Sequence, residues 1–127
     1  MAERPTPYIL TDTVVVGASG RAIARSGVSV SEEFEGHRLW ITSTGAFSIE
    51  SMRTSDGRLL TNATSDDPLP STARFLPQTA GEGIGTFLIP LLLRAGEQFE
   101  LHLLDTSGSS NTVRFHIEGI KRPLGGT

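Results

Sequence analysis

The sequence predicts an all-β chain that folds as one antiparallel β-sandwich. Apolar and polar residues alternate with period two in several short segments, which is the spacing of a strand with one buried face. Clusters of glycine, proline, aspartate and serine separate these segments at intervals of about eight to twelve residues. No window of eleven or more residues keeps a helical period without an intervening glycine or proline. Many short strands divided by turns are typical of a sandwich or a barrel.

Length and composition set further bounds. A chain of 127 residues fits one domain, and the absence of cysteine excludes disulfides, thiolate metal sites and thiol nucleophiles. The net charge is -3 and the sequence lacks the clustered Lys/Arg face of a nucleic-acid binder, so we expect no nucleic-acid partner. The most apolar run, residues 87–93, is interrupted by Pro90 and is far shorter than the roughly 20 residues of a membrane helix. The N-terminus shows no classical secretion signal, and we expect a soluble chain with no membrane partner.

In the first half of the chain, residues 1–7 are polar and contain two prolines, which predicts an extended arm. Turns are predicted at residues 17–20, at 32–36 and at 44–45. The predicted strands are residues 8–16, 21–31 (one irregular strand or two short ones), 38–43 and 46–53. The short connection at 44–45 predicts that the last two strands form a hairpin.

In the second half, the Asp-Gly pair within residues 55–58 predicts a tight turn. Loops are expected at residues 65–71 and in the glycine-rich stretch 79–85. Short strands are predicted at residues 59–61, 73–76, 86–89 and 91–94, with Pro90 separating the last two.

The stretch 98–120 has the clearest strand pattern and organises the rest. Its two inward-facing triplets are Phe99, Leu101 and Leu103, followed by Val113, Phe115 and Ile117. If the two strands pair directly, a register with Leu103 opposite Val113 avoids placing Glu100 against Glu118. In a jelly roll, consecutive strands often lie in opposite sheets, and then only the inward faces are predicted. Both arrangements stay open.

Three histidines are the candidates for metal ligation or general-base catalysis. His102 and His116 belong to the same part of the predicted sandwich, whereas His37 lies in a distant turn. Catalytic zinc needs three protein ligands, and a hydrolytic triad needs an activated serine. Residues 17–20, which include Ser19, are not a nucleophile elbow, because that motif needs a glycine two residues away on each side of the serine. We therefore interpret the histidines as exposed strand residues and predict no catalytic residue, no metal and no cofactor.

Other motifs also favour structural interpretations. The glycines of residues 81–85 lack the spacing and the following helix of a phosphate loop. The acid pairs at residues 32–33 and 66–67 point in different directions on an extended chain, so we interpret them as parts of solvated loops. Asp66, Asp67 and Asp56 could bind calcium through loop oxygens, but their spacing does not match a calcium-binding motif. Residues 62–64 match the acceptor motif for N-glycosylation, but we interpret the match as a coincidence because no secretion signal is present. Trp40 could stack on a sugar, but its apolar neighbours favour core packing.

A series of short motifs has the order found in one known group of proteins. The motifs are STGAFSI (43–49), GRLLTN (57–62), GT (85–86) followed by Pro90, AGEQF (95–99), LDTSG (104–108), and NTV (111–113) leading to EGI (118–120). In this order the chain resembles small β-sandwich proteins encoded among the head and structural genes of tailed bacteriophages. The resemblance spans most of residues 10–122 and consists of turns and strands.

The resemblance implies a decoration, cement or minor head protein with a jelly-roll-like sandwich, assembled on the shell as a homo-oligomer, with a trimer favoured. It supplies no catalytic residues. We therefore expect a non-enzymatic virion protein on the capsid surface that binds the major capsid protein lattice through loops, edge strands and the arm. The expected contact residues are Arg4, Pro5, Pro7 and Tyr8.

The corresponding organisation is an arm at residues 1–7, a sandwich at residues 8–120 and a flexible tail at residues 121–127. The alternative function is a carbohydrate-binding or host-adsorption jelly roll of a spike, fibre or tail. That function would require exposed aromatic side chains beside asparagine or aspartate loops, and few aromatic residues are available.

Overall fold

The computed structural model describes residues 5–61, 63–70, 78–79 and 82–123, and these residues form strands and turns but no helix. The strands are β1 (Thr6–Val16), β2 (Arg21–Gly27), β3 (Glu32–Ser43), β4 (Phe47–Thr54), β5 (Leu69–Pro70), β6 (Gln78–Thr79), β7 (Glu82–Leu93), β8 (Gln98–Asp105) and β9 (Asn111–Pro123). They build two sheets. The first sheet has the order β1-β9-β3-β7-β6, and the second has the order β2-β8-β4-β5.

The strand order is that of a jelly roll. Strands β1, β9, β3 and β7 lie side by side in one sheet, and β2, β8, β4 and β5 lie in the other, so the chain crosses repeatedly between the layers. All pairings are antiparallel. Two packed sheets with this alternation are the double Greek key of jelly-roll proteins. The predicted all-β, antiparallel sandwich is confirmed.

The core lies between the sheets and is filled by the alternate residues of each strand. Both triplets of the stretch 98–120 are almost fully buried, and the rings of Phe99 and Phe115 meet edge-on across the interior with centroids 5.1 Å apart. Burying one such side chain stabilises the fold by about 1.5–3 kcal/mol. The predicted inward faces are therefore confirmed.

The direct pairing of β8 with β9 is wrong, because the two strands lie in opposite sheets. Leu103 lies opposite Ala22 and Ile49, whereas Val113 lies opposite Val14 and Ser43. The two apolar triplets face each other across the core instead of lying side by side. Residues 106–110 therefore bridge the layers and do not close a hairpin.

The hairpin predicted for residues 38–53 is also wrong. Strand β3 belongs to the first sheet and β4 to the second, so residues 44–46 arch between them. The turn predicted at residues 32–36 lies within β3, where Gly36 pairs with Gly119 of β9 at a register shift. The sequence pattern marks where the chain bends, but the same short connection serves an arch as well as a hairpin.

Strand β7 is longer than predicted. It runs through Pro90 and begins within the glycine-rich stretch that was expected to be a loop. Pairing with β3 passes from Thr86 to Leu91 across an irregularity, and Pro90 lies inside it. A residue without an N–H is tolerated at such a site because no ladder bond is lost. Of the other short strands predicted, residues 59–61 supply only the isolated bridge of Leu59 to Arg53, and residues 73–76 lie outside the described residues.

The ends of the sandwich also differ from the predicted boundaries. Strand β1 begins at Thr6 and β9 continues to Pro123, because Thr6 pairs with Lys121 and Glu32 of β3 pairs with Pro123. Residues 6–7 and 121–123, which were assigned to the arm and the tail, are therefore strand residues. The predicted turn at residues 55–58 is confirmed, with Gly57 at a φ of 94°.

Candidate interaction edge

Strand β1 forms the edge of the first sheet. It pairs along all eleven of its residues with β9, and no strand of the described chain lies on its other side. It therefore presents a row of backbone N–H and C=O groups about 36 Å long. Such an edge is a template onto which another extended segment can add.

Exposed apolar side chains concentrate at this edge. Strand β2 is the corresponding edge of the second sheet and packs beside β1. Four of the six exposed large hydrophobic side chains in the described residues lie on these two strands: Tyr8 (38% exposed), Ile9 (53%), Val15 (67%) and Ile23 (40%). We call these two strands with their exposed side chains the β1–β2 edge. Apolar residues grouped on one surface often mark a binding site.

The alternation of β1 explains this exposure. Leu10 and Val16 point inward and are buried, so Ile9 and Val15, at odd positions, must point outward from the first sheet. The ring of Tyr8 meets Phe34 edge-on at 6.3 Å between centroids, and the ammonium group of Lys121 lies 4.0 Å from its centre. Tyr8 is thus fixed in place while part of its ring faces solvent.

The edge of β2 is partly covered, in contrast to that of β1. Asp12 accepts a hydrogen bond at 2.9 Å from the backbone N–H of Arg25 and thereby closes part of β2. Thr11 donates its hydroxyl to the carbonyl oxygen of Phe115 at 2.9 Å and accepts a bond at 3.1 Å from Nε of Arg114. The backbone of β1 is consequently the part of the edge that is open to a partner strand.

The charges beside the edge are mainly positive. Arg25 and Arg114 are exposed, and neither forms a salt bridge among the described residues, although Arg25 is the register partner of Glu100. Asp12 is held by the β2 backbone, and Glu118 lies 3.7 Å from Arg38. The edge therefore combines apolar side chains with two exposed guanidinium groups that form no salt bridge in the described chain.

The sequence located this site only in part. Pro5, Pro7 and Tyr8 were predicted contact residues; Pro5 and Pro7 are exposed at the start of the edge, and Tyr8 lies next to them, while Arg4 lies outside the described residues. Ile9, Val15 and Ile23 were missed. A signal for Ile9 and Val15 was present, because residues 8–16 carry apolar side chains at both odd and even positions, more than one buried face needs.

A second polar cluster, at the loop end of the sandwich, is structural. Asp105 is buried and accepts hydrogen bonds from the backbone N–H groups of Ser19 (2.9 Å), Ser107 (3.1 Å) and Gly108 (3.0 Å). It also accepts bonds from the Ser107 hydroxyl at 2.6 Å and from the Asn111 amide at 3.0 Å. The Ser107 hydroxyl and the Ser19 N–H hold the pKa of Asp105 far below its usual range. With five donors around it, this carboxylate has no free lone pair to offer a ligand.

The three histidines do not converge. His102 lies on the outer face of the second sheet, 3.2 Å from Glu100, and His37 lies 2.8 Å from Glu35. His116 lies on the outer face of the first sheet, where burial lowers its pKa. The expectation that His102 and His116 share one part of the sandwich is wrong, because β8 and β9 belong to opposite sheets. Within the described ranges, no group of three or more histidine or acidic residues is placed to hold a metal ion.

The prediction that Trp40 packs in the core is also wrong. Its neighbours Leu39 and Ile41 are buried, and Trp40 lies half-buried on the outer face, its ring 5.4 Å from that of His116.

Among the acid pairs, Asp66 and Asp67 are exposed in a loop as predicted, whereas Glu32 is in β3 and bonds Lys121 at 3.2 Å. Asp56 accepts hydrogen bonds from Arg58 and Thr54.

Fold and edge together define a class: a jelly-roll β-sandwich with an open edge strand suited to β-strand addition. No family model and no curated protein matches the chain. No helix within the described residues is long and apolar enough to span a membrane.

Proposed function

We propose that this chain is a non-enzymatic structural protein of a tailed-bacteriophage virion, where it decorates or stabilises the capsid shell by binding the major capsid protein lattice. The observation that carries the proposal is the eleven-residue open edge of β1 with its exposed apolar side chains. The choice of a phage capsid as the lattice rests on the order of the sequence motifs, which resembles that of small phage head proteins.

Strand addition suits a shell protein for a physical reason. An extended segment that joins β1 satisfies backbone donors and acceptors along its length, and Ile9 and Val15 add apolar contacts on the outward face. A single contact of this kind can be weak. Many copies on one shell then act together, because a multivalent assembly holds each module at a high effective concentration.

We further propose that the chain assembles as a homo-oligomer, with a trimer matching the local threefold positions of a shell. Contacts around a threefold axis join two different surfaces of the subunit. Sedimentation equilibrium of the purified chain measures this directly. If the chain is a monomer at every concentration tested, and also binds the shell as a monomer, the proposal of a homo-oligomer is wrong.

The test of the function is co-sedimentation with empty capsid shells that lack the protein. The wild type should sediment with the shells, and Ile9→Lys combined with Val15→Lys should abolish binding, since two ammonium groups would face the added strand. The matched control is Val30→Lys combined with Leu59→Lys, which alters the other two exposed large apolar residues of the described chain and should bind normally. Absence of the wild type from the pellet would contradict the proposal.

The contribution of the N-terminal segment is tested separately. Deleting residues 1–5 leaves β1 intact, because the strand begins at Thr6. Occupancy on shells should fall if the predicted contact residues Arg4 and Pro5 participate, while unchanged occupancy would confine binding to the strand itself.

The competing function, recognition of a carbohydrate, was suggested by Trp40. One side of that ring lies against His116, and its indole nitrogen is buried. Sugars should therefore leave the fluorescence of Trp40 unchanged. Quenching by a sugar, together with a positive glycan array, would favour an adsorption module over a shell protein.

A further inference from the structure

We propose that the segment that adds to β1 is an acidic, extended strand of a different protein, with apolar residues opposite Ile9 and Val15 and carboxylates between them. This inference rests on the proposed function in that both use the open edge of β1. It goes further by stating the chemistry of the partner and by favouring that partner over a second copy of this chain.

The apolar positions follow from the outward-facing residues of β1. Ile9 and Val15 are exposed and lie six residues apart, with Thr11 and Thr13 between them on the same face. A strand that pairs with β1 places one side chain opposite each of these four residues. Apolar side chains at its two outer positions would cover Ile9 and Val15 and remove them from water.

The acidic positions follow from Arg114. Its Nε donates to the hydroxyl of Thr11 at 3.1 Å, and Thr13 is its register partner in β1. The guanidinium group therefore lies beside the two middle positions of the edge, exposed and without a carboxylate partner in the described chain. A carboxylate opposite Thr11 or Thr13 would pair with it.

The second layer carries charge of the same sign. Arg25 of β2 is exposed and influences Glu100 only through space, since Glu100 is bonded to Arg53 and His102. Arg21 is largely exposed and bonds Glu50 at 2.9 Å. Because Glu50 balances the charge of Arg21, the positive charge that an added strand meets comes from Arg114 on the first layer and Arg25 on the second. This charge favours an acidic partner and raises its association rate.

A second copy of the chain fits this edge poorly. Antiparallel pairing of β1 with itself about Asp12 sets Ile9 opposite Val15, but it also sets Asp12 opposite Asp12 and gathers two Arg114 side chains near the axis. Sliding the register by two residues in one direction places Thr11 opposite Thr11 of the second copy and brings the two Arg114 side chains together. Sliding it in the other direction places Ile9 opposite Gly17, so that the apolar contact is lost. Like charges or lost apolar contacts oppose these three registers.

The test is selection of a random twelve-residue peptide library, displayed on yeast, against the purified full chain. Enriched peptides should carry carboxylates at alternate positions between apolar residues, and their binding should weaken in about 0.5 M salt. Arg114→Glu should reduce their affinity by at least about tenfold and should change the selected peptides from acidic to basic. Arg94→Glu, an exposed arginine in the turn before β8, is the matched control and should leave both unchanged.

Three results would overturn the inference: no enriched peptide, peptides without an acidic preference, or acidic peptides that still bind Ile9→Lys combined with Val15→Lys. Self-association of the wild type that this double variant abolishes, measured by sedimentation equilibrium, would identify a second copy as the occupant and would also overturn it. Acidic peptides that bind the edge of a chain that fails to sediment with shells would instead contradict the proposed function alone.

Discussion

Asn111, the first residue of β9, joins the connection at residues 44–46 to Asp105 at the end of β8. Its amide oxygen accepts the N–H of Gly45 at 3.1 Å, and its amide nitrogen donates to the carbonyl of Ala46 at 2.9 Å and to Asp105 at 3.0 Å. Asn111 is fully buried, so when one of these bonds is lost, the partner group is left without a hydrogen bond because water cannot reach it. Asn111→Ala should lower the free energy of unfolding by about 3 kcal/mol, measured in urea.

The control for Asn111 lies next to it. Ser110 is exposed, and Ser110→Ala should change the free energy of unfolding by less than about 0.5 kcal/mol. Equal stability of the two variants would mean that the amide network does not hold the loop end together.

Asp105 should make stability depend on pH. Its pKa in the folded chain is far below its usual range because the Ser107 hydroxyl and the Ser19 N–H stabilise the ionised form. A lowered folded-state pKa contributes stability that is complete above the unfolded pKa of about 3.9 and is lost as the pH falls below it. Asp105→Asn should therefore be less stable than the wild type at pH 7, with a gap that narrows towards pH 3 in urea titrations. A gap that stays constant with pH would contradict this.

At the scale of elements, β3 and β9 approach closely where Gly36 pairs with Gly119. A Cβ at Gly119 would overlap the carbonyl oxygen of Glu35 and lie 2.8 Å from Cζ of Phe34. Gly119→Ala should therefore destabilise the fold by about 3 kcal/mol or more, since backbone must move apart in the middle of the first sheet. Thermal unfolding measures this loss.

A matched glycine provides the control. A Cβ at Gly17 would meet nothing within 4 Å, so Gly17→Ala should leave the melting temperature nearly unchanged. Similar melting temperatures for both variants would show that the two strands can separate at no cost.

Local pattern predicted the inward faces and the turn at Gly57, because burial and a positive φ depend on nearby residues. Strand partners were not predictable in this way. The connection at residues 44–46 is equally short for a hairpin and for an arch, and only burial against the opposite sheet separates them. Pro90 was interpreted as a strand end because the irregularity that accommodates it is formed with β3, distant in sequence.

The candidate site was predicted to a similar degree. Tyr8 and Pro7 were proposed because the prolines mark an N-terminal segment that can lie along a neighbour; both lie on β1, and their part in binding stays a prediction. Ile9 and Val15 could not be separated from core residues until β1 was known to be an edge strand. The charge beside them depends on Arg114 of β9, which the topology brings next to β1.

At the scale of the whole molecule, β1 is an edge strand of the first sheet along its full length and is open on one side within the described chain. The central claim is that this edge is the binding surface. Amide hydrogen exchange of the chain, free and bound to shells, tests it most directly. Exchange of residues 6–16 should slow on binding, with β4 unchanged; slowing confined to the loops at residues 17–20 and 106–110, with β1 unaffected, would contradict the account.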